Sequence, residues 1–208
     1  MNGTIIYTDR RVKKERLLFE AALDVFAELG YREAGVEDIA RRAGVANGTI
    51  YLYAASKRDL YRKVVEYGMN AWQAAAAKAA EAVDSSQDNA KARFEALCRA
   101  AFSYLAAEPR LRKILKRDPG LFPASTGANH EDDPFETVNR QSVGLIEKAI
   151  ISGVDSGEFV VADPAAAAEL LFSLYRMLIE KAYVTEEGQE QRQFEAGLSI
   201  ILNGIIAR

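Results

Sequence analysis

The sequence predicts an all-α protein, and two observations carry that reading. Apolar residues recur at spacings of three and four along nearly the whole 208-residue chain, as on a helix with one buried face. Glycine, proline and short polar residues interrupt that rhythm at helix-length intervals, and no run shows the strict alternation of a half-buried strand.

Taken in order, Thr8 or Asp9 can cap a first helix running to about Leu29, with Leu18, Ala22, Val25, Phe26 and Leu29 on one face and Gly30 ending it. Positions 36–43 form a short helix stopped by Gly44, and a second short helix covers about 47–53. Ser56 can cap the next helix with Asp59 three residues on, and that helix continues through the alanine-rich 74–82. Asp84, Ser85 and Ser86 break the pattern, and helices follow at about 88–107 and 110–117. The stretch 118–134 holds three prolines and two glycines and reads as a loop. A helix over about 135–152 precedes a turn from Gly153 to Gly157. Asp163 then caps a helix that has Pro164 in its first turn and runs to about Tyr183, and the last helix covers about 190–206. In 165–183 the charges form a narrow stripe at Glu169, Arg176 and Glu180, so this helix is expected to bury more than one face. With Phe194, Leu198, Ile201, Leu202 and Ile205 in the final helix, it can close a core and also pack on a second copy of the chain.

Composition narrows the class. Hydrophobic residues at 49% and charged residues at 27% suit a soluble globular chain, and no apolar run approaches the length of a membrane span. One cysteine, Cys98, excludes an internal disulfide framework, and one histidine leaves too few ligands for a zinc site. A cytoplasmic protein without cofactor or metal is expected. The net charge of −3 is unevenly spread: residues 1–63 hold 12 basic against 9 acidic residues, leaving 15 against 21 beyond. A basic contact end on an acidic body fits a nucleic-acid partner, and a merely solvated helix start fits as well.

The informative stretch is Leu29 to Leu60. Two short helices flank a tight turn at Ala43-Gly44-Val45, and Val36, Ile39, Ala40, Val45, Ile50 and Leu52 are available to pack them together. Such a unit can present its second helix to a DNA major groove, with Asn47, Thr49, Tyr51 and Tyr53 offering polar groups to bases and phosphates. Basic residues at 10–14 and Lys57 can hold the phosphate backbone. A helical hairpin that only packs is the alternative.

This stretch resembles the DNA-binding domain of the tetracycline-repressor (TetR) family. The likeness rests on Ala21, Ala22, Phe26, Gly30-Tyr31, Val36, Ile39-Ala40, Ala43-Gly44-Val45, Gly48-Thr49-Ile50-Tyr51, Tyr53, Ser56-Lys57 and Leu60. It implies a helix-turn-helix DNA-binding domain of three helices over residues 1–56. It also implies a helical-bundle domain for effector binding and dimerisation over 57–208. The partners implied are a double-stranded, palindromic operator, a small-molecule effector that relieves repression, and a second copy of the chain through the last two helices; no membrane and no enzymatic activity are expected. The DNA-contacting set would be Arg10, Arg11, Lys14, Gly35, Val36, Asn47, Gly48, Thr49, Tyr51, Tyr53 and Lys57. Gly35 stands where the family has a capping Ser or Thr, Ala46 where it has Ser, so that Asn47 can cap instead, and Ala54 where it has an aromatic.

Elsewhere the chain offers less. His130 lies in a polar loop beside Glu131, Asp132 and Asp133, and Cys98 lies in a helix with no base to activate it. Trp72, Phe102, Tyr104, Phe122, Phe172 and Tyr175 can either line an effector pocket or fill a core. Phe102, Tyr104, Phe172 and Tyr175 are the effector-binding candidates, the two tyrosines each bringing a hydroxyl into an apolar helix. Activation in place of repression, an enzyme on a helical bundle, and an adaptor without DNA binding stand beside this reading.

Overall fold

The computed structural model describes residues 3–83, 89–117, 134–184 and 190–205, with side chains at 11–83, 89–114, 116–117, 139–178 and 191–204. Among these residues it contains nine helices and no strand. They are α1 (Gly3–Glu33), α2 (Val36–Ala43), α3 (Asn47–Ile50), α4 (Lys57–Glu81), α5 (Ala90–Ala107), α6 (Pro109–Arg117), α7 (Pro134–Asp155), α8 (Pro164–Val184) and α9 (Glu190–Ile205). The expected breaks at Asp84–Ser86 and 118–133, with Phe122 and His130, lie outside the described residues.

Four boundaries differ from the sequence reading. First, α1 starts at Gly3, ahead of Thr8 and Asp9, and Gly30 kinks it where an end was expected. At φ 81° and ψ 165° Gly30 leaves the helix, yet Ala34 N–H donates to its carbonyl at 3.1 Å, so one further turn closes beyond the kink. Second, α3 is a single turn ending at Ile50. Its continuation tightens into i→i+3 bonds, Leu52 N–H to Thr49 O at 3.2 Å and Tyr53 N–H to Ile50 O at 2.9 Å. Third, Ala46 caps α3 in extended geometry, and Asn47 is its first helical residue. Fourth, α7 runs through Gly153 to Asp155, because the Phe159 ring folds back over Gly153 where a side chain would otherwise stand.

The chain forms two compact units, one of residues 1–69 with 109–135, the other of 70–108 with 136–208. The expected division at 56/57 falls where α4 begins. In the first unit Phe26, Ile39, Ile50, Leu60 and Val64 are buried together with Leu111 and Ile114 of α6. Aromatic rings reinforce that core: Phe26 meets Tyr61 edge-on at 4.8 Å, and Tyr31 lies 4.9 Å from Tyr61. Ala54, small where an aromatic was expected, is itself buried.

The second unit is built around Phe94, Phe102, Ile146, Ile150, Phe159, Phe172, Phe194 and Leu198. Phe102 and Phe194 stack at 4.2 Å. Asp163 Oδ1 accepts from Ala166 N–H at 3.0 Å, capping α8 as its position before Pro164 predicts.

Candidate nucleic-acid interface and an apolar cavity

The helix-turn-helix is shaped by backbone chemistry. Gly44 takes a left-handed conformation (φ 68°), and Val45 N–H reaches Ala40 O at 3.0 Å, so α2 ends sharply and the chain reverses into α3. At the start of α2, Gly35 donates its N–H to Asp38 Oδ2 at 3.1 Å, and Arg41 bonds the other Asp38 oxygen at 3.0 Å. Val36 is half-buried beside them.

Ile50, fully buried, anchors α3 to the core and thereby fixes which residues face outward. Asn47 and Gly48 are exposed, Tyr51 is 58% and Leu52 73% exposed, and Thr49 and Tyr53 are half-buried. Leu52 corrects the sequence reading, which placed it among the packing residues. Ile50 and Ala54, both buried, sit four apart on the inner face, which turns the position midway between them outward. A Cβ at Gly48 would meet nothing within 4 Å, so this part of α3 presents bare backbone to its surroundings.

The cations of this unit are placed unevenly. Arg11 and Lys14 are exposed on α1, while Arg10 belongs to its helical backbone with a side chain outside the described set. Lys57 Nζ donates to Arg32 O at 3.0 Å and rests 5.0 Å from the Tyr31 ring centroid, tying the start of α4 to the segment after the Gly30 kink. Ser56 Oγ accepts from Asp59 N–H at 3.1 Å, and Asp59 Oδ2 accepts from Ala55 N–H at 2.9 Å. Arg62 first, then the Ala55 N–H, hold the Asp59 carboxyl down to about 2. Lys63, unmarked in the sequence, donates to Tyr53 O at 2.7 Å and closes the end of the reading turn.

An acidic stripe on α1, Glu20, Asp24 and Glu28, is met by cations from elsewhere in the same unit. Arg110 Nη1 reaches Glu20 at 2.8 Å and Asp24 at 3.1 Å, and Arg42 grips Glu28 through both oxygens at 3.1 and 2.7 Å. Arg117 donates to Glu28 O at 2.7 Å, and the Tyr67 hydroxyl to Glu20 at 2.7 Å. The Arg42 hydrogen bonds hold the Glu28 carboxyl below its ordinary range. Through Arg110 and Arg117 these bonds tie α6 to α1, and through Arg42 and Tyr67 they tie α2 and α4 to the same helix.

The second unit contains a half-open cavity of about 60 Å³. Phe172 and Tyr175 line it, as do Trp72, Phe94, Cys98 and Phe194. Phe102 lies behind that wall in its stack with Phe194, and Tyr104 is half-buried away from the lining. Tyr175 stacks on Trp72 at 6.0 Å and meets Phe194 edge-on at 6.3 Å. Trp72 Nε1 donates to Ala101 O at 2.7 Å, which fixes the indole against α5. Gln73 and Ser142 bring polar atoms to the wall and are bonded to each other at 2.8 Å. Burial pushes the Cys98 thiol up to about 12. Among the described residues no three His, Cys, Asp or Glu gather as metal ligands, and no helix is long and apolar enough to cross a membrane.

The sequence model for bacterial regulatory proteins, tetR family, matches residues 18–64, which span α2, α3 and their flanking helices. An uncharacterised HTH-type transcriptional regulator, YhgD of Bacillus subtilis, is 26% identical over 81% of this chain and 83% of its own. The fatty acid metabolism regulator protein of the same organism is 51% identical over 43 residues, 21% of this chain and 22% of that one. Among solved structures, the transcriptional regulator FadR of Bacillus subtilis, in complex with stearoyl-CoA, superposes with a TM-score of 0.73 at 21% identity, covering 91% of this chain and 98% of that one. The fold is thus shared along nearly the whole chain, and the match to the family's sequence model lies in the segment that holds the helix-turn-helix.

Proposed function

The chain belongs to the tetR family of bacterial regulatory proteins, and from that premise we propose that it is a cytoplasmic repressor released from a palindromic operator by a small molecule. The observation that carries the DNA-binding half is the outward face of α3, where Asn47, Gly48, Tyr51 and Leu52 stand exposed over the buried Ile50 anchor. Leu52 offers an apolar contact to a thymine methyl, and Asn47 an amide for a base edge or phosphate. Exposed Arg11 and Lys14, with Arg10 on the same helix, supply phosphate contacts, joined by Lys57, Tyr53 and Thr49. Gly35 and Val36 bring the start of α2 to the backbone.

Two such helices are needed to read a palindrome. Leu170 and Met177 share one face of α8 seven residues apart and are exposed, as is Ile200 of α9. A homodimer that covers these side chains supplies the second reading helix at the spacing of one DNA turn, about 34 Å. The ligand half rests on the cavity, where Phe172 and Tyr175 are wall residues. FadR holds a small molecule in the same fold. One helix, α4, carries Lys57 at its start and Trp72 further on, so a ligand that moves Trp72 acts on the helix that begins beside the reading turn.

Selection of a random duplex library with the purified protein, followed by sequencing, tests the reading. A recovered palindrome is expected, bound with an affinity that falls roughly 10³–10⁵-fold between about 50 and 200 mM salt for about 6–10 phosphate contacts. No enrichment at either salt concentration would overturn it.

A further inference from the structure

We propose that the cavity of the second unit takes an uncharged, predominantly apolar molecule, a medium-chain neutral amphiphile rather than an organic ion. This rests on the reading of that cavity as the effector site and names the chemistry it selects. The described wall consists of aromatic and aliphatic side chains, and its polar members Gln73 and Ser142 are neutral dipoles bonded to each other. A carboxylate or ammonium brought among them would lose its hydration without meeting an opposite charge on the described lining. The wall contains its own indicator of that penalty: Cys98, an ionisable group on the lining, is held in its neutral form by burial.

Size points the same way. The cavity of about 60 Å³ is well under half the roughly 150 Å³ of an engineered apolar cavity that admits benzene, so a ligand must widen it. Leu171, Leu178 and Ile201 are half-buried on the lining, and rotation of flexible aliphatic side chains can open such a wall for a slim acyl or alkyl chain. A rigid polar ring would instead need the Trp72–Tyr175 stack to part.

Trp72 is the only tryptophan of the chain and lies on the wall, so its emission reports occupancy directly. The test titrates the full-length protein at pH 7 with 1-octanol, octanoate and octylamine, which share a chain and differ in charge. Octanol is expected to shift Trp72 emission and to bind roughly a hundredfold tighter than either ion. Octanoate or octylammonium binding as tightly as octanol would overturn the proposal, and so would a Trp72 signal that none of the three moves. Ala76→Met, which extends a flexible side chain into the cavity from α4, is expected to weaken octanol about tenfold with helicity unchanged. Undiminished octanol affinity in that variant would place the ligand elsewhere and overturn the assignment. The titration needs no DNA, so failure to enrich an operator would sink the regulator reading while leaving this ligand class standing.

Discussion

Glu158 caps a helix that begins 68 residues before it: its Oε1 accepts the Ala90 N–H at 2.6 Å, and its Oε2 the Lys91 N–H at 3.2 Å. Asn89, at the cap position itself, makes no such bond. Burial by itself raises the Glu158 pKa, but the N–H groups of Ala90 and Lys91 outweigh it and leave the carboxyl below its ordinary 4.5. The contribution to stability is therefore present above about pH 4.5 and is lost as pH falls through the lowered native value. Glu158→Ala should cost about 1–2 kcal/mol at pH 7 by urea unfolding, and the gap to the natural protein should shrink at pH 3. A gap unchanged between the two pH values would mean that the charge of this cap contributes nothing.

Gly153 depends on the turn that follows its helix. A Cβ there would overlap the Phe159 ring, so Gly153→Ala should lower stability by about 1–3 kcal/mol despite the better helix propensity of alanine. Phe159→Leu should recover part of that loss when combined with it, measured as a coupling in a double-mutant cycle. Additive effects would show that the ring moves aside freely.

At the reading turn the sign is reversed. Gly48→Ala meets open space and should leave the melting temperature unchanged or raised, yet weaken operator binding roughly tenfold by holding the DNA off the α3 backbone. Asn47→Ala should relax sequence preference, and Tyr51→Phe should weaken specific and random duplexes alike. Gly48→Ala with full affinity would remove close backbone approach from the account.

Cys98 retains some accessible surface as a residue, yet its thiol is pushed from 9.0 up to about 12. Alkylation by iodoacetamide at pH 8 should run roughly a thousandfold slower in the folded protein than in urea. Rapid labelling of the native protein would contradict the apolar description of the cavity wall.

What the residues disclosed in advance follows the range of the forces involved. The reversal at Gly44 and the caps at Asp163 and Ser56 are local: each depends on side chains within four positions, so their spacing is visible along the chain. Glu158 and Lys63 act through partners 68 and 10 residues away, which their own neighbourhoods do not mark, whereas Gly153 meets a ring six residues on, across the turn that the glycines at 153 and 157 do mark. Leu52 misled because alternating apolar residues suggest packing, whereas a one-turn helix anchored by Ile50 has room for only one inward side chain. At the cavity, Tyr104 and Tyr175 look alike as hydroxyls in apolar helices. Of the two, Tyr175 lines the space and stacks on Trp72, and Tyr104 does not line it, a difference their own neighbourhoods do not carry.

The clamp of α6 on α1 has a consequence for how the protein finds DNA at a distance. Residues 109–117 contain five basic and no acidic side chains and belong to the unit that holds the reading helix. Over that unit, residues 1–69 and 109–135, the balance is 17 basic against 14 acidic side chains, a net +3 in a chain whose total is −3. The other unit holds 10 basic against 16 acidic side chains, so a polyanion is attracted by the first unit and repelled by the second. Five of the 17 cations lie on α6, so the rate of encounter is set partly by a helix outside residues 18–64.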